Sequence, residues 1–201
     1  MTHDTRRPPD PRRIAAAATL RRDPIVIVPY DEQWPARFDR ERRLVEAALH
    51  GHLVGRVEHV GSTAIPGLPA KPIIDMLATI ADYDDSAGLA AHLAPIGWVH
   101  APEPGDEESR KWSFCYPGIA HRSHHLHIYE AAAPNPAILL RFRDHLRTHP
   151  TQAAEYARLK QRLAAADDRD RPRYRAGKAP FIEELLRRLD PQPPGAARPR
   201  G

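Results

Sequence analysis

The chain has 201 residues, of which 41% are hydrophobic and 28% charged, with a formal charge of +4, the composition of a globular domain and not of a disordered or membrane-embedded chain. No apolar run approaches the roughly 20 residues that cross a bilayer, and the N-terminus lacks the apolar core of a signal peptide, so a cytoplasmic location with no membrane partner is expected. A single cysteine, Cys115, excludes an intrachain disulfide and a cysteine-based zinc cluster; between Phe114 and Tyr116 it reads as a small buried thiol.

Residues 1–23 carry Arg6, Arg7, Arg12, Arg13, Arg21 and Arg22 among prolines and alanines. They read as a flexible basic arm able to adhere to polyanions without sequence preference, so no specific nucleic-acid partner is expected. Residues 190–201 read as a flexible tail, leaving one domain over residues 24–189. Its first strand-like segment is 25–28, short and β-branched. A helix follows over 35–49, with Phe38, Leu44, Val45, Ala48 and Leu49 on one broad face. Residues 56–60 form a strand that runs into Gly61-Ser62-Thr63 and a loop punctuated by Pro66, Gly67 and Pro69. The nearly unbroken apolar run 73–80 reads as a central strand buried on both faces, with Asp75 its only charge.

Residues 86–93 are expected to be helical, 97–99 to open another strand, and the acidic stretch 103–108 to be a flexible connection. Strands are predicted at 111–116 and 125–129. Helices at about 136–147, 152–166 and 179–189 finish the domain, with the charge run 167–173 as a surface loop. Strands early and helices late predict an α+β domain with a mixed β-sheet, flanking helices and a helical C-terminal part.

The most informative local pattern is a glycine turn after one strand and a carboxylate inside the next. Gly61 permits close approach to a ligand, Ser62 and Thr63 offer hydroxyl and amide donors, and Lys71 offers a point charge for phosphate. The lysine lies on the wrong side of the turn for a Walker A motif. A carboxylate within an apolar strand must be paired or coordinated, because uncompensated burial costs several kcal/mol. Asp75 therefore needs either a divalent metal or a salt bridge to Lys71 or an arginine, and Glu58 can join it if the two strands are neighbours. His125 and His127 share one strand face, close enough to converge on one ion. Metal binding, a metal-free substrate or acid-base role and a structural role all remain open for that pair; His121 and His124, near a turn, are expected to be exposed. Arg143 shares a helix face with Arg147, and Tyr156 with Lys160 and Tyr174 with Lys178 repeat a four-residue spacing that could frame an anion.

The segment from Val57-Glu58-His59-Val60-Gly61-Ser62-Thr63 through Ile73-Ile74-Asp75 resembles the GrpB (UPF0157) family. So do His125-Leu126-His127, Phe142-Arg143-Asp144-His145-Leu146-Arg147, Tyr156 to Lys160, and Tyr174 with Lys178, in order and spacing over about residues 25–189. The resemblance implies a nucleotidyltransferase-like fold. In active enzymes of that superfamily a Gly-Ser turn contacts the triphosphate, and carboxylates two apart on a strand, with a third on a later strand, bind metal. Gly61 and Ser62 fall on that turn and Asp75 on the first carboxylate, but Leu77 stands at the second and a histidine strand at the third. The function so implied is binding of a nucleotide or phosphorylated metabolite, with metal-dependent nucleotidyl transfer to an acceptor. Asp75, Glu58, His125 and His127 would hold Mg, Mn or Zn, and Gly61, Ser62, Thr63, Lys71, Arg143, Lys160, Tyr174 and Lys178 would hold the ligand. A non-catalytic nucleotide-binding module and a metal-dependent hydrolase built on the histidine pair are the alternatives.

Overall fold

The computed structural model describes residues 24–86 and 88–189; the expected basic arm and tail lie outside the described residues. In chain order the elements are α1 (Trp34–Ala48), β1 (Glu58–Val60), β2 (Ile74–Ile80), α2 (Leu89–Leu93), β3 (Val99–His100), β4 (Lys111–Tyr116), β5 (His124–Glu130), α3 (Asn135–Thr148), α4 (Pro150–Ala166) and α5 (Arg171–Leu189). The five strands form one mixed sheet in the order β1-β2-β5-β4-β3. β2 and β5 pair in parallel at its centre, and the other neighbours are antiparallel. No helix among the described residues is long and apolar enough to cross a membrane.

Alternation along the strands divides the sheet into two faces. Ile74, Met76, Ala78 and Ile80 of β2, with Leu126 and Ile128 of β5 and Phe114 of β4, point to the face that packs on Trp34, Phe38 and Val45 of α1 and on Leu89 and Leu93 of α2. That layer is the main core, and its Val45, Met76, Phe114, Leu126 and Ile128 have no exposed surface. On the opposite face Val60, Leu77 and Tyr129 meet Leu139 and Leu140 of α3. Ile65 and Leu68 of the punctuated loop are buried against Leu146, Tyr156, Ala157 and Leu185, which ties the loop to the three C-terminal helices. Cys115 is buried, as its apolar neighbours imply.

Several expectations need correction. Residues 25–28 are not a strand: Val28 makes a single antiparallel rung with Ala70, whereas the Ile25 amide donates to the Asp168 carbonyl at 2.8 Å. The expected helix at 86–93 is one short turned segment, Leu89–Leu93, preceded by a 3₁₀ turn at Asp84–Ser86. The acidic connection is pinned, because Asp106 is buried and pairs with Lys111 Nζ at 2.8 Å. His124 is not exposed; it packs between Trp98 and Tyr116, and burial lowers its pKa to about 4. The last helix begins at Arg171, within the supposed surface loop. Asp170 Oδ1 accepts the Arg173 amide at 2.9 Å and Pro172 fills the first turn, a start signal that caps the helix eight residues earlier than hydrophobic spacing indicates.

Candidate functional site

The parallel register of β2 and β5 sets Asp75 beside His125 and Leu77 beside His127, so all four side chains leave the same face. Asp75 Oδ1 lies 3.7 Å from His125 Nδ1 and 3.6 Å from His127 Nε2, and the two imidazole rings are 4.0 Å apart between centroids. One ligand atom from each of the three falls within 4.8 Å of the others. Two imidazoles and a carboxylate around one point form a donor set suited to a divalent transition metal or zinc with a coordination position left open. Its chemistry fits such an ion from the residues present.

Gly61 closes this group from above. It has φ +70° and ψ −170°, and a β-carbon built there would collide with the Asp75 carboxylate. The glycine is therefore required both by its backbone conformation and by the approach of the turn to the acid. Burial pushes the Asp75 carboxyl up, but the polar contact with the His127 imidazole and the charges of Lys71 and Lys178 outweigh it and hold the group below its ordinary value. With 33% of its side chain still exposed, Asp75 opens into a cleft rather than being sealed.

That cleft, of about 260 Å³, is bounded by Ser62 and Lys71 on the loop side, by Asp75, His125 and His127 on the sheet, by Glu103, and by Lys160, Arg171, Tyr174, Arg175 and Lys178 from the helices. Lys160 is 2% exposed and donates to the Pro69 carbonyl at 2.6 Å. Burial, with the neighbouring charges of Lys178 and Lys71, lowers its pKa to about 7 against the opposing pull of Asp75. Burial likewise lowers Lys178. The ammonium groups of Lys178 and Lys71 lie 4.7 and 5.5 Å from the Tyr174 ring centroid, and that of Lys160 lies 4.9 Å from the Tyr156 ring. Lys160 thus reaches the cleft from α4 and the pair Tyr174–Lys178 from α5, whereas Tyr156 belongs to the core formed with Leu146 and Leu185. Tyr156 itself is buried, packed edge-on to Phe142 and stacked on Phe181.

Three of the candidate residues are placed elsewhere. Glu58 stands opposite Leu77, where Arg143 Nη1 and Arg56 Nε hold its carboxylate at 2.8 and 2.7 Å, so it is not part of the metal-type group. Arg143 is committed to Glu58, Asp144 and the His59 carbonyl and lines a separate hollow with Arg42 and Arg147. Thr63 is buried, its hydroxyl engaged by His59 Nε2 at 3.0 Å. Leu77 is 2% exposed and packs with Val60 and Tyr129, which fills with apolar atoms the position where a second carboxylate would stand.

Glu103, Arg171 and Arg175 line the cleft without having been singled out in the sequence. Glu103 Oε1 lies 3.9 Å from His125 Nε2 and 3.6 Å from Arg122 Nη1. A sequence signal did exist for the arginines: once Asp170 is read as a helix cap, residues 171, 174, 175 and 178 fall at i, i+3, i+4 and i+7 on one helix face.

The model of the family described as GrpB protein matches residues 24–188. A UPF0157 protein of Halalkalibacterium halodurans is 34% identical over 167 residues, covering 83% of each chain. One from Pseudomonas aeruginosa is 37% identical, covering 83% of this chain and 68% of its own. The crystal structure of GrpB from Enterococcus faecalis superposes with a TM-score of 0.70 at 29% identity, over 82% of this chain and 99% of that one. A dephospho-CoA kinase of Mycolicibacterium paratuberculosis is 29% identical over 84% of this chain, which spans 47% of that protein. By its turn, its central strand and its helical end, the chain belongs to the GrpB (UPF0157) family.

Proposed function

We propose that the chain binds a nucleotide or phosphorylated metabolite in the cleft between the Gly61–Ser62 turn and the C-terminal helices, together with one divalent metal ion, and supports nucleotidyl transfer from a nucleoside triphosphate to an acceptor, with pyrophosphate as the leaving group. The observation that carries this reading is the meeting of Asp75, His125 and His127, with ligand atoms within 4.8 Å, at the floor of a cleft walled by Lys71, Lys160 and Lys178. A divalent ion bound there would supply charge stabilisation to a reacting phosphoryl oxygen. The chain's own part is to orient. Ser62, on the turn that lines the cleft, presents its hydroxyl and backbone to the phosphate, while the lysines neutralise its oxygens in a site partly screened from water. The likeness of the domain to part of a protein named dephospho-CoA kinase adds a relative whose name specifies phosphoryl transfer to a coenzyme precursor.

A second reading, phosphoester hydrolysis with water as the acceptor, is favoured by one observation. Two imidazoles and one carboxylate are a ligand set that serves hydrolytic metal centres, and Leu77 removes the carboxylate that a two-metal transfer site would use. Labelled ATP, CTP, GTP and UTP incubated with Mg²⁺, Mn²⁺ or Zn²⁺, with and without candidate acceptors, distinguish the two. Transfer requires an acceptor-bound nucleotidyl product, and hydrolysis proceeds without one. Asp75→Asn is expected to abolish either activity by 100-fold or more, and equal turnover by the two proteins would remove Asp75 from the reaction.

A further inference from the structure

The same cleft carries information about which part of a ligand it can read, and this inference rests on the phosphorylated-ligand reading above. Recognition of a nucleobase needs an apolar or aromatic slot in which the ring can stack, with a few polar groups facing its edge. Among the described residues that line the cleft, Ile73 is the one aliphatic side chain, and Tyr174 is the one aromatic side chain besides the imidazoles. Tyr174 is only 3% exposed, and its ring already lies against the ammonium groups of Lys71 and Lys178. The remaining wall is charged: Lys71, Lys160, Arg171, Arg175 and Lys178 face Asp75 and Glu103.

Size points the same way. A cleft of about 260 Å³ is smaller than the roughly 300–1,000 Å³ that encloses drug-sized ligands. Its charged interior has room for a chain of phosphoryl groups. Positive charges crowd it: burial and repulsion from Lys178 and Lys71 hold Lys160 below the usual lysine pKa, and burial and repulsion from Arg175 hold Lys178 below it. Several oxyanions entering together relieve that repulsion more fully than one phosphate monoester can.

We propose that the cleft recognises a compact polyphosphate, the triphosphate portion of a nucleotide and inorganic tripolyphosphate alike, and takes no binding energy from a nucleobase. Lys71, Lys160 and Lys178 together supply the countercharge to the phosphoryl oxygens, and any nucleoside stays outside the cleft.

Calorimetric titration of the full chain in the presence of Mn²⁺ tests this with sodium tripolyphosphate, ATP, CTP, GTP, UTP and adenosine. Tripolyphosphate and the four nucleotides are expected to bind within about threefold of one another, with no adenosine binding and with affinities that fall together as salt is raised. Lys178→Gln should weaken tripolyphosphate and ATP by the same factor, about tenfold, and Tyr174→Leu should leave their ratio unchanged. A preference of tenfold or more for one base, binding of adenosine, or a selective loss of ATP in Tyr174→Leu would overturn base indifference while leaving the phosphorylated-ligand reading intact. Failure of every phosphate compound to bind would overturn both.

Discussion

Replacing Gly61 by alanine separates two demands that the turn places on one residue. At φ +70° and ψ −170° the backbone occupies a region open essentially to glycine, and a side chain forced there costs on the order of 1–3 kcal/mol. The added methyl also overlaps Asp75 Oδ2 and stands 3.0 Å from the Asp75 Cβ and Cγ. Because Cβ is fixed by the strand, the carboxylate must rotate away from His125 and His127. Gly67→Ala is the matched control: φ is +75° there, but a built β-carbon meets no atom within 4 Å. Both variants should lose thermal stability, Gly61→Ala by roughly 2–12 °C for a domain of this size, as read by a circular-dichroism melt. Only Gly61→Ala should also lose at least tenfold in Mn²⁺ or Zn²⁺ affinity by calorimetry on the folded protein. Undiminished metal affinity in Gly61→Ala, or an equal loss in Gly67→Ala, would refute the idea that the turn holds the carboxylate in its ligating position.

Lys160 predicts opposite pH trends for stability and ligand binding. Its folded pKa of about 7 lies below the ordinary 10.5, so between those values the unfolded chain holds the extra proton and stability rises with pH. Relative to Lys160→Met, the wild type should gain in urea midpoint from pH 7 to 10 while losing tripolyphosphate affinity over the same range; parallel pH profiles for the two proteins would exclude Lys160 as the source. Glu103, 3.9 Å from His125 Nε2, is placed to accept from that nitrogen when Nδ1 faces an ion, a support typically worth 10–100-fold in metal affinity. Glu103→Gln should therefore weaken Zn²⁺ binding by about tenfold and alter the visible spectrum of a Co²⁺-loaded protein, whereas an unchanged spectrum would leave Glu103 with its ion pairs to Arg122 and Lys111 and no part in holding the ion.

The central strands and the three C-terminal helices were legible because their signals are local. An apolar run with a single acid, a period-two histidine strand and helical spacing each follow from near neighbours in sequence. The ligating triad was partly legible for the same reason, since His125 and His127 share a face on any strand. Their partnership with Asp75 depends on the parallel pairing of β2 and β5, which no local pattern specifies. Glu58 illustrates the converse. It does lie on the neighbouring strand and the same face, yet Arg143, 85 residues later in the chain, takes its carboxylate. Residues 25–28 carry strand propensity, but the Ile25 amide finds its acceptor at Asp168 rather than in a strand. Arg171 sits inside a run of charges that reads as a surface loop although Asp170 and Pro172 at its start signal a helix, and Arg175 joins it on one face only once that helix is recognised.

The pairing of β2 with β5 has a mechanical consequence. Asp75 and His125 stand about 50 residues apart along the chain, and bringing such distant points together is an entropic burden that an unfolded polypeptide must bear before any local reward. An ion seated on both strands would act as a removable staple across that span. It would bind the native chain far better than the unravelled one, and its capture would protect the middle of the sheet before the outer helices. Amide exchange at Met76 and Leu126 would then slow on metal addition while the far end of α5 continued to fray.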